Sequence, residues 1–338
     1  MVLCVKVERK KAESVRKKLA AGGLLNNSFT PEREGDFVYF PVKSAPAEMK
    51  TSKRELAKRQ EFGKSLRGEL EGKLTAREAD ELVGSFDIVG DIAVVEIPDA
   101  LEKKEKLVAD AILKNHHNIK TVAKKTGGTS GEFRIRPVKV IAGEKKTRTV
   151  YREGGCDFEL DLNKTYFSSR LGTERGRLVE LVKKGEHVLV PFAGVGPFAI
   201  RIGKAMPSAS VVGIELNPDA TEFFGKNIDR NRCANVSVLV GDVSEILPNE
   251  FAGWADRAAM PLPMDGGEFL KFIIPCMKKG GVLHYYSFGK TDDPYSDAEK
   301  QVKKEAAKLG RKAKILFRRV VRPYSKDTEQ VVVDAEIN

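Results

Sequence analysis

The second half of the chain alternates between short apolar runs and amphipathic stretches of helical length. The apolar runs begin near residues 187, 211, 236, 256 and 281. The helices predicted among them start at Pro197 and at Pro218, end at Met277, and span 295–309. Apolar strands separated by amphipathic helices are typical of a mostly parallel sheet covered on both faces. Two further runs, 313–321 and 330–337, predict a closing antiparallel hairpin, so residues 161–338 are expected to form a Rossmann-like α/β domain.

The first half has a different pattern and predicts two smaller α/β domains. Its predicted elements are strands over 3–7 and 36–42 around a helix over 12–25, a hairpin joined at "VGD" (89–91), and a helix over 99–114. Residues 44–78 are polar and strongly charged, which favours a linker that passes into a surface helix. The whole pattern divides the chain into 1–62, which includes the charged linker, 63–160 and 161–338.

Charge changes this picture because it is unevenly distributed. The net charge is +11. Residues 1–80 carry 18 Lys/Arg against 12 Asp/Glu, and residues 101–150 carry 13 against 5, whereas the chain after residue 150 is close to neutral. A basic front half joined to a near-neutral back half suggests that the front meets a polyanion, and nucleic acid is the natural partner.

Membrane, secreted and metal-binding classes receive no support from the sequence. No apolar run approaches the roughly 18 residues that a membrane span needs, and the N-terminus does not resemble a signal peptide. The four cysteines stand far apart, with no CxxC pair and no histidine at ligand spacing. This spacing predicts reduced, mostly buried thiols, no metal site, and a cytoplasmic protein.

A glycine-rich turn follows the first apolar run of the second half, in "LVPFAGVGPFAIRIGKAMPSASVVGIEL" (189–216). A dinucleotide fingerprint uses such a turn to hold a pyrophosphate, but Pro197 removes one backbone donor that a phosphate would need. The turn of class I methyltransferases fits better, with Gly194 and Gly196 beside the methionine part of S-adenosylmethionine. In that interpretation Glu215 binds the ribose hydroxyls, and Asp242 suits the adenine amino group.

One segment links this turn to a known family. The stretch "DLNKTYFSSRLGTERGR" (161–177), followed by "PFAGVGPF", resembles the archaeal/eukaryotic-type tRNA (guanine-37-N1)-methyltransferases, and the resemblance spans essentially the whole chain. It implies methyl transfer from S-adenosylmethionine to N1 of guanine 37 of tRNA. It also implies that the protein contacts the anticodon loop and the outer corner of the tRNA, and we expect a monomer.

The same resemblance implies roles for individual residues. Glu174, in "TER", matches the general base that removes the N1 proton, and Arg134, in "GEFRIRP", matches the arginine at O6 of the base. These residue types suit the chemistry, because N1 is a poor nucleophile until its proton leaves and negative charge then grows on O6. The positions implied for cofactor and substrate contacts are Tyr166, Arg175, Phe192, Ala193, Gly194, Gly196, Glu215, Leu216, Asp242, Val243 and Pro261.

Two positions depart from the family pattern and leave alternatives open. Val190 stands where the family usually has an acid, and Pro261 stands where it has the asparagine of an "NLP" loop, so backbone carbonyls must replace that amide. Aminocarboxypropyl transfer is a related activity, although "SRL" (169–171) favours methyl transfer. Methylation of a tricyclic wyosine intermediate, a non-catalytic tRNA-binding protein and a NAD-dependent oxidoreductase are further alternatives. Tyr285 and Tyr286 are predicted to pack, with a role in lining the pocket left open.

Overall fold

The computed structural model describes residues 1–46, 49–58, 66–128 and 131–338. Within these ranges the chain forms two compact units, Met1–Ser65 and Leu66–Asn338. Each unit has its own hydrophobic core.

In its described residues, the N-terminal unit forms a four-stranded antiparallel sheet with one α-helix. Its elements are β1 (Val2–Glu8), α1 (Ala12–Ala21), β2 (Glu32–Glu34), β3 (Phe37–Pro41) and β4 (Thr51–Arg54). The strands lie in the order β2-β3-β1-β4. Apolar residues of β1 and β3 alternate between the two faces, and one face packs against Leu19 of α1.

The prediction of a linker over 44–78 is wrong where β4 forms, although residues 47–48 and 59–65 of that stretch lie outside the described ranges. The strand "TSKR" has no apolar alternation, but its backbone pairs with β1 from Val2↔Arg54 to Val5↔Thr51. The Arg54 guanidinium also lies 3.7 Å from the centre of the Tyr39 ring. Backbone pairing and a cation–π contact therefore order a polar edge strand that hydrophobic periodicity does not reveal.

The first part of the second unit contains a four-stranded sheet in the order β5-β6-β7-β8. Its elements are α2 (Leu66–Glu69), α3 (Ala76–Glu81), β5 (Asp87–Val89), β6 (Ile92–Val95), α4 (Glu105–Asn115), β7 (Thr121–Lys125) and β8 (Val138–Gly143). The predicted hairpin at "VGD" is confirmed, because β5 and β6 are antiparallel. The chain then crosses through α4 to β7, which is parallel to β6. Leu101, Val108 and Ile112 fill the core under α4.

A separate hairpin, β9 (Arg148–Glu153) and β10 (Cys156–Asp161), comes next. Two asparagines of a later helix, Asn227 and Asn231, hold its second strand. The amide of Asn227 accepts from the Glu159 backbone N–H at 2.7 Å and donates to the Glu159 carbonyl at 3.0 Å. Asn231 makes the same pair of bonds with Asp157, at 2.9 and 2.7 Å. The helix thus pairs with β10 as a neighbouring strand would. The predicted boundary at 160/161 falls at the end of this hairpin.

The remaining elements form the predicted Rossmann-like domain. They are α5 (Gly172–Leu181), β11 (His187–Pro191), α6 (Pro197–Ala205), β12 (Ser210–Glu215), α7 (Pro218–Asn231), β13 (Val236–Val240), α8 (Val243–Glu250), β14 (Ala255–Met260), α9 (Leu270–Ile273), β15 (Met277–Lys290), α10 (Ser296–Lys308), β16 (Ala313–Pro323) and β17 (Thr328–Ile337).

The strands of this domain form one seven-stranded sheet in the order β13-β12-β11-β14-β15-β17-β16. The five strands β11 to β15 are parallel, and the predicted antiparallel end is confirmed because β17 runs against both β15 and β16. One face packs under α5, α6 and α7, and the other packs under α8, α9 and α10. The carboxyl ends of the parallel strands meet at a single edge, where sites of such sheets lie.

The prediction of a helix that ends at Met277 is wrong in the length and the end point of that helix. The chain forms one turn of α-helix, α9, between two 3-10 turns, and Met277 already belongs to β15. Gly266 and Gly267 weaken a helix start, and Pro275 lacks the N–H that would continue the helix.

The four cysteines are buried and form no disulfide, as the sequence indicated. Burial raises the pKa of the Cys276 thiol to about 12, so this thiol stays protonated and unreactive. Among the described residues, no helix is both long enough and apolar enough to cross a bilayer.

Candidate active site

The glycine turn between β11 and α6 adopts a conformation that only a few residues tolerate. Phe192, Gly194 and Gly196 have positive φ values of 59°, 57° and 85°. A Cβ on Gly196 would lie 2.2 Å from Cδ2 of Phe224, which is buried behind the turn. The turn therefore leaves a cradle of bare backbone at the carboxyl end of β11.

Glu215 closes this cradle from the end of the neighbouring strand, β12. Its carboxylate accepts the Gly194 backbone N–H at 2.7 Å and the Asn217 backbone N–H at 2.9 Å. Burial raises the pKa of Glu215, and the two backbone bonds offset part of that rise. A fixed carboxylate beside a glycine turn can accept hydrogen bonds from a vicinal diol, which is the role that the sequence predicts.

The predicted adenine side lies at the ends of β12 and β13. Leu216 is exposed directly after Glu215, and Val243 is buried in the first turn of α8. Asp242 caps α8 by accepting the Ser244 backbone N–H at 2.7 Å. An exposed apolar side chain and an acid at adjoining strand ends suit a flat heteroaromatic ring with an amino group.

Tyr166 and Arg175, both in the "YFS…TER" segment, have different surroundings. Tyr166 is exposed, and its carbonyl oxygen lies 3.6 Å from the position that a Cβ of Gly194 would take. The Arg175 guanidinium is buried and donates to the Glu153 carboxylate at 2.7 and 2.6 Å and to the Ser168 carbonyl at 3.1 Å. Tyr166 thus borders the cradle, whereas Arg175 faces the β9–β10 hairpin and holds the segment in place.

Glu174 is a buried carboxylate at the same edge of the sheet. Its Oε1 accepts hydrogen bonds from Arg177 at 2.7 and 2.9 Å and from the Tyr286 hydroxyl at 2.9 Å. Its Oε2 has no hydrogen-bond partner among the described residues, and the Arg319 Nη1 lies 3.7 Å from it. Met260 pairs with Tyr285, so Tyr286 and Glu174 lie level with Pro261, where β14 ends.

Arg134 reaches this edge from the loop between β7 and β8. It has a positive φ of 51°. Its Nη2 donates to the Met264 carbonyl at 2.7 Å and lies 3.2 Å from the Asp265 carboxylate. Both partners belong to the loop that follows Pro261. The fold therefore brings Arg134 to the loop after β14, where its partner Met264 is 130 positions away along the chain.

Val190 and Pro261, the two positions that depart from the family pattern, have different surroundings in the structure. Val190 is fully buried among apolar side chains of the face under α6, so this position supplies packing and no polar group. Pro261 lies in a tight turn in which the Leu262 backbone N–H donates to the Met260 carbonyl at 2.9 Å. Pro261 itself therefore offers a ligand only its backbone carbonyl as a polar group.

Sequence reasoning missed Arg177 and Arg319 and left the role of Tyr286 open. All three contact Glu174, yet they come from α5, β16 and β15. Only the spacing of Arg177, three residues after Glu174 on one helix face, is a local signal. A cleft of about 450 Å³ beside Tyr166 is lined by both parts of this unit, including Lys125, Arg136, Arg170 and Arg322.

A parallel sheet in this strand order, with a glycine cradle after its first strand and a carboxylate after its second, defines a class I S-adenosylmethionine-dependent methyltransferase. The family model for the TRM5/TYW2 methyltransferase domain matches residues 149–316, and the tRNA methyltransferase 5 N-terminal domain matches residues 4–50. The chain belongs to the archaeal/eukaryotic-type tRNA (guanine-37-N1)-methyltransferases of this TRM5/TYW2 family. The TYW2 N-terminal domain model matches residues 66–147 between them.

Individual relatives are similar over long stretches. The tRNA (guanine(37)-N(1))-methyltransferase Trm5b of Pyrococcus abyssi is 38% identical over 100% of both chains, and its crystal structure superposes with a TM-score of 0.75. A solved complex of aTrm5 and tRNALeu is 30% identical, covers 99% of this chain and 100% of its own, and has a TM-score of 0.72. The tRNA 4-demethylwyosine(37)-methyltransferase Taw21 of Saccharolobus solfataricus is 31% identical over 75% of this chain and 94% of its own.

Proposed function

We propose that this protein transfers a methyl group from S-adenosylmethionine to N1 of guanine 37 in tRNA. The observation that carries the proposal is the buried Glu174 carboxylate, with one oxygen unbonded among the described residues, at the edge that holds the glycine cradle. The full-length similarity to Pyrococcus abyssi Trm5b supports the same reaction. When bound, S-adenosylmethionine supplies an electrophilic methyl group on a sulfonium.

The chain's own groups then have distinct tasks in the proposal. Gly194, Gly196 and Glu215, with Phe192 and Ala193 of the turn, hold the methionine and ribose parts, and Leu216, Asp242 and Val243 hold the adenine. Glu174 Oε2 accepts the N1 proton, and the electron pair of the N1–H bond stays on nitrogen and forms the new N–C bond. With the cofactor bound, the methyl–sulfur bond would break and leave its electron pair on the sulfur. Arg134 donates to O6, where negative charge grows as the proton leaves.

Arg134 retains donors for this task. Only its Nη2 is engaged within the described part of the chain, by Met264 and Asp265, which leaves Nε and Nη1 for the base. Carbonyls of the loop after Met260 replace the side-chain amide that Pro261 lacks, and they suit the guanine amino group, which is a donor.

The partner in this proposal is tRNA, bound as by the relative in the aTrm5–tRNALeu complex. Residues 101–150 supply phosphate contacts near the anticodon loop, and the N-terminal unit contacts the outer corner. Affinity therefore falls as salt rises. The proposal also includes a monomer, the cytoplasm as the compartment, and the three-part division at 62/63 and 160/161.

Replacement of Arg134 by alanine is expected to lower kcat by a factor on the order of 10² and to change KM little, because its donors act mainly on the transition-state charge. Single-turnover kinetics with a guanine-37 transcript measure this. Lys139→Ala, which removes an exposed cation of the same basic stretch, is the matched control and leaves kcat within about threefold. Equal losses of tRNA affinity in both variants, with kcat retained, would assign Arg134 to phosphate binding instead.

The product identifies the reaction. Purified protein is incubated with methyl-labelled S-adenosylmethionine and paired transcripts that carry guanine or adenine at position 37, and nucleosides are analysed by mass spectrometry. We expect 1-methylguanosine from the guanine transcript alone. A 3-amino-3-carboxypropyl adduct would establish the related transferase activity, and tRNA binding without transfer would favour a binding protein.

A second candidate substrate is tRNA that carries 4-demethylwyosine, because the relative Taw21 is named for it and is 31% identical to this chain. The same assay with tRNA that carries the tricyclic base separates the two. Methylation of that base alone would replace guanine 37 as the substrate.

A further inference from the structure

A line of buried polar side chains crosses the sheet face that α5 covers, next to Glu174. Arg257 of β14, His284 of β15 and Asp334 of β17 are each at most 4% exposed. His284 and Asp334 are direct partners in the antiparallel register of β15 and β17. Buried charges on a sheet face are costly unless each is paired.

Each member of this line has a partner. The Arg257 Nη1 contacts His284 Nε2 at 2.7 Å, and the Asp334 Oδ1 contacts His284 Nδ1 at 2.6 Å. Arg257 is itself held by the Glu186 carboxylate at 2.8 and 3.0 Å and by the Leu181 carbonyl at 2.8 Å. The line is thus anchored at the far end of α5.

The guanidinium of Arg177 connects this line of side chains to Glu174. Arg177 donates to the Asp334 carboxylate through Nη1 at 2.6 Å and through Nη2 at 3.2 Å. The same side chain donates to Glu174 Oε1. Two buried carboxylates therefore share a single cation, so the positive charge of Arg177 is divided between Glu174 and Asp334.

The protonation pattern of the line follows from its contacts. Arg257 can only donate, so His284 Nε2 accepts and Nδ1 carries the proton that it donates to Asp334. Burial lowers the pKa of His284 and outweighs the pull of Asp334, so the ring is neutral. Burial alone would raise the pKa of Asp334, but the bonds from His284 and Arg177 hold it below its ordinary value.

We propose that Asp334, oriented by His284, is a positioning residue that keeps Glu174 sufficiently basic to accept the guanine N1 proton. The charged and polar groups that face Glu174 are Arg177 on its own helix, Arg319 on β16 and Tyr286 on β15, with Asp334 of β17 behind Arg177. Two cations and a hydroxyl would make an isolated buried carboxylate a weak base. Asp334 counters one of those cations. This inference rests on the proposed function of Glu174.

The test is the pH dependence of the single-turnover rate in Asp334→Asn. Without the second carboxylate, Arg177 binds Glu174 alone, so Glu174 holds a proton less strongly. We expect the acidic limb of the profile to move to lower pH by about one unit and the plateau rate to fall about five- to tenfold, because a base that is weaker by one unit accepts the N1 proton at most about tenfold more slowly. Binding of S-adenosylhomocysteine and the unfolding temperature, measured in parallel, show that the variant is folded.

Two further sets of variants separate positioning from simple packing. His284→Asn places an amide donor where Nδ1 stands and is expected to keep the plateau rate within about twofold, whereas His284→Gln, whose amide extends toward Nε2, is expected to lose about as much rate as Asp334→Asn. Val333→Ala, buried on the opposite face of β17, lowers the unfolding temperature without moving the acidic limb.

The failures of the two proposals are distinguishable. An unmoved acidic limb in folded Asp334→Asn, with Glu174→Gln inactive, overturns the positioning role alone. If Asp334→Asn does not fold, equal rates in His284→Asn and His284→Gln overturn it. An active Glu174→Gln variant overturns the proposed general base, and the positioning role with it.

Discussion

Replacement of Glu174 by glutamine is expected to reduce the single-turnover rate of methyl transfer by about 10³-fold, within the range for loss of a general base. Glutamine keeps the size of the side chain and still accepts a hydrogen bond from Arg177 or Tyr286. It cannot take a proton from N1. Since both neighbours remain, binding of S-adenosylhomocysteine is expected to change less than threefold. Rapid-quench assays with a guanine-37 transcript, alongside calorimetric titration of the analogue, measure the two quantities.

The matched control for this variant is Glu180→Gln, which removes an exposed carboxylate from the same helix. It is expected to react at the wild-type rate. A Glu174→Gln enzyme within tenfold of wild type would show that solvent or another group removes the N1 proton. A loss of analogue binding that parallels the loss of rate would instead assign Glu174 to the architecture of the cradle.

Replacement of Gly196 by alanine is expected to destabilise the protein by about 2–4 kcal/mol and to weaken S-adenosylhomocysteine binding at least tenfold. The new Cβ would lie 2.2 Å from Phe224 at a φ of +85°, so it adds both overlap and backbone strain. Relief requires the turn to move, and the turn is the part that approaches the cofactor. Thermal unfolding and calorimetric titration provide the measurements.

Gly225→Ala supplies the comparison, because this glycine lies inside α7 and a Cβ there meets nothing within 4 Å. It is expected to be neutral or to stabilise by about 0.5–1 kcal/mol. Unchanged analogue affinity in Gly196→Ala would mean that the bare backbone of the turn does not contact the cofactor.

Local patterns predict much of the methyltransferase domain. The apolar runs of β11 to β15 and the turn around Gly194 are contiguous in sequence, and Glu215 lies one helix and one strand further on. The strand β4 is not predictable in this way, because this segment is held as a strand by its pairing with β1 and by the Arg54–Tyr39 contact.

The surroundings of the proposed base illustrate the same limit. Tyr286 has the sequence pattern of an ordinary strand residue, and the packing of α5 on this face of the sheet brings its hydroxyl to Glu174, 112 positions away. Arg134 likewise reaches the loop after Pro261 because the β7–β8 loop lies against it. Such contacts depend on tertiary packing, which no spacing along the chain expresses.

The hydrogen bonds from Asn227 and Asn231 of α7 to the backbone of β10 determine where this chain can be divided or recombined. A fragment that starts at residue 161 would remove the main-chain partners of Asn227 and Asn231 and would expose the apolar surface against which Phe158 packs. In a chimera between relatives, the junction should therefore lie before residue 148. The β9–β10 hairpin and α7, which binds its backbone, then come from the same parent. The segment that has to be exchanged as one piece is therefore longer than the Rossmann-like domain and includes the β9–β10 hairpin.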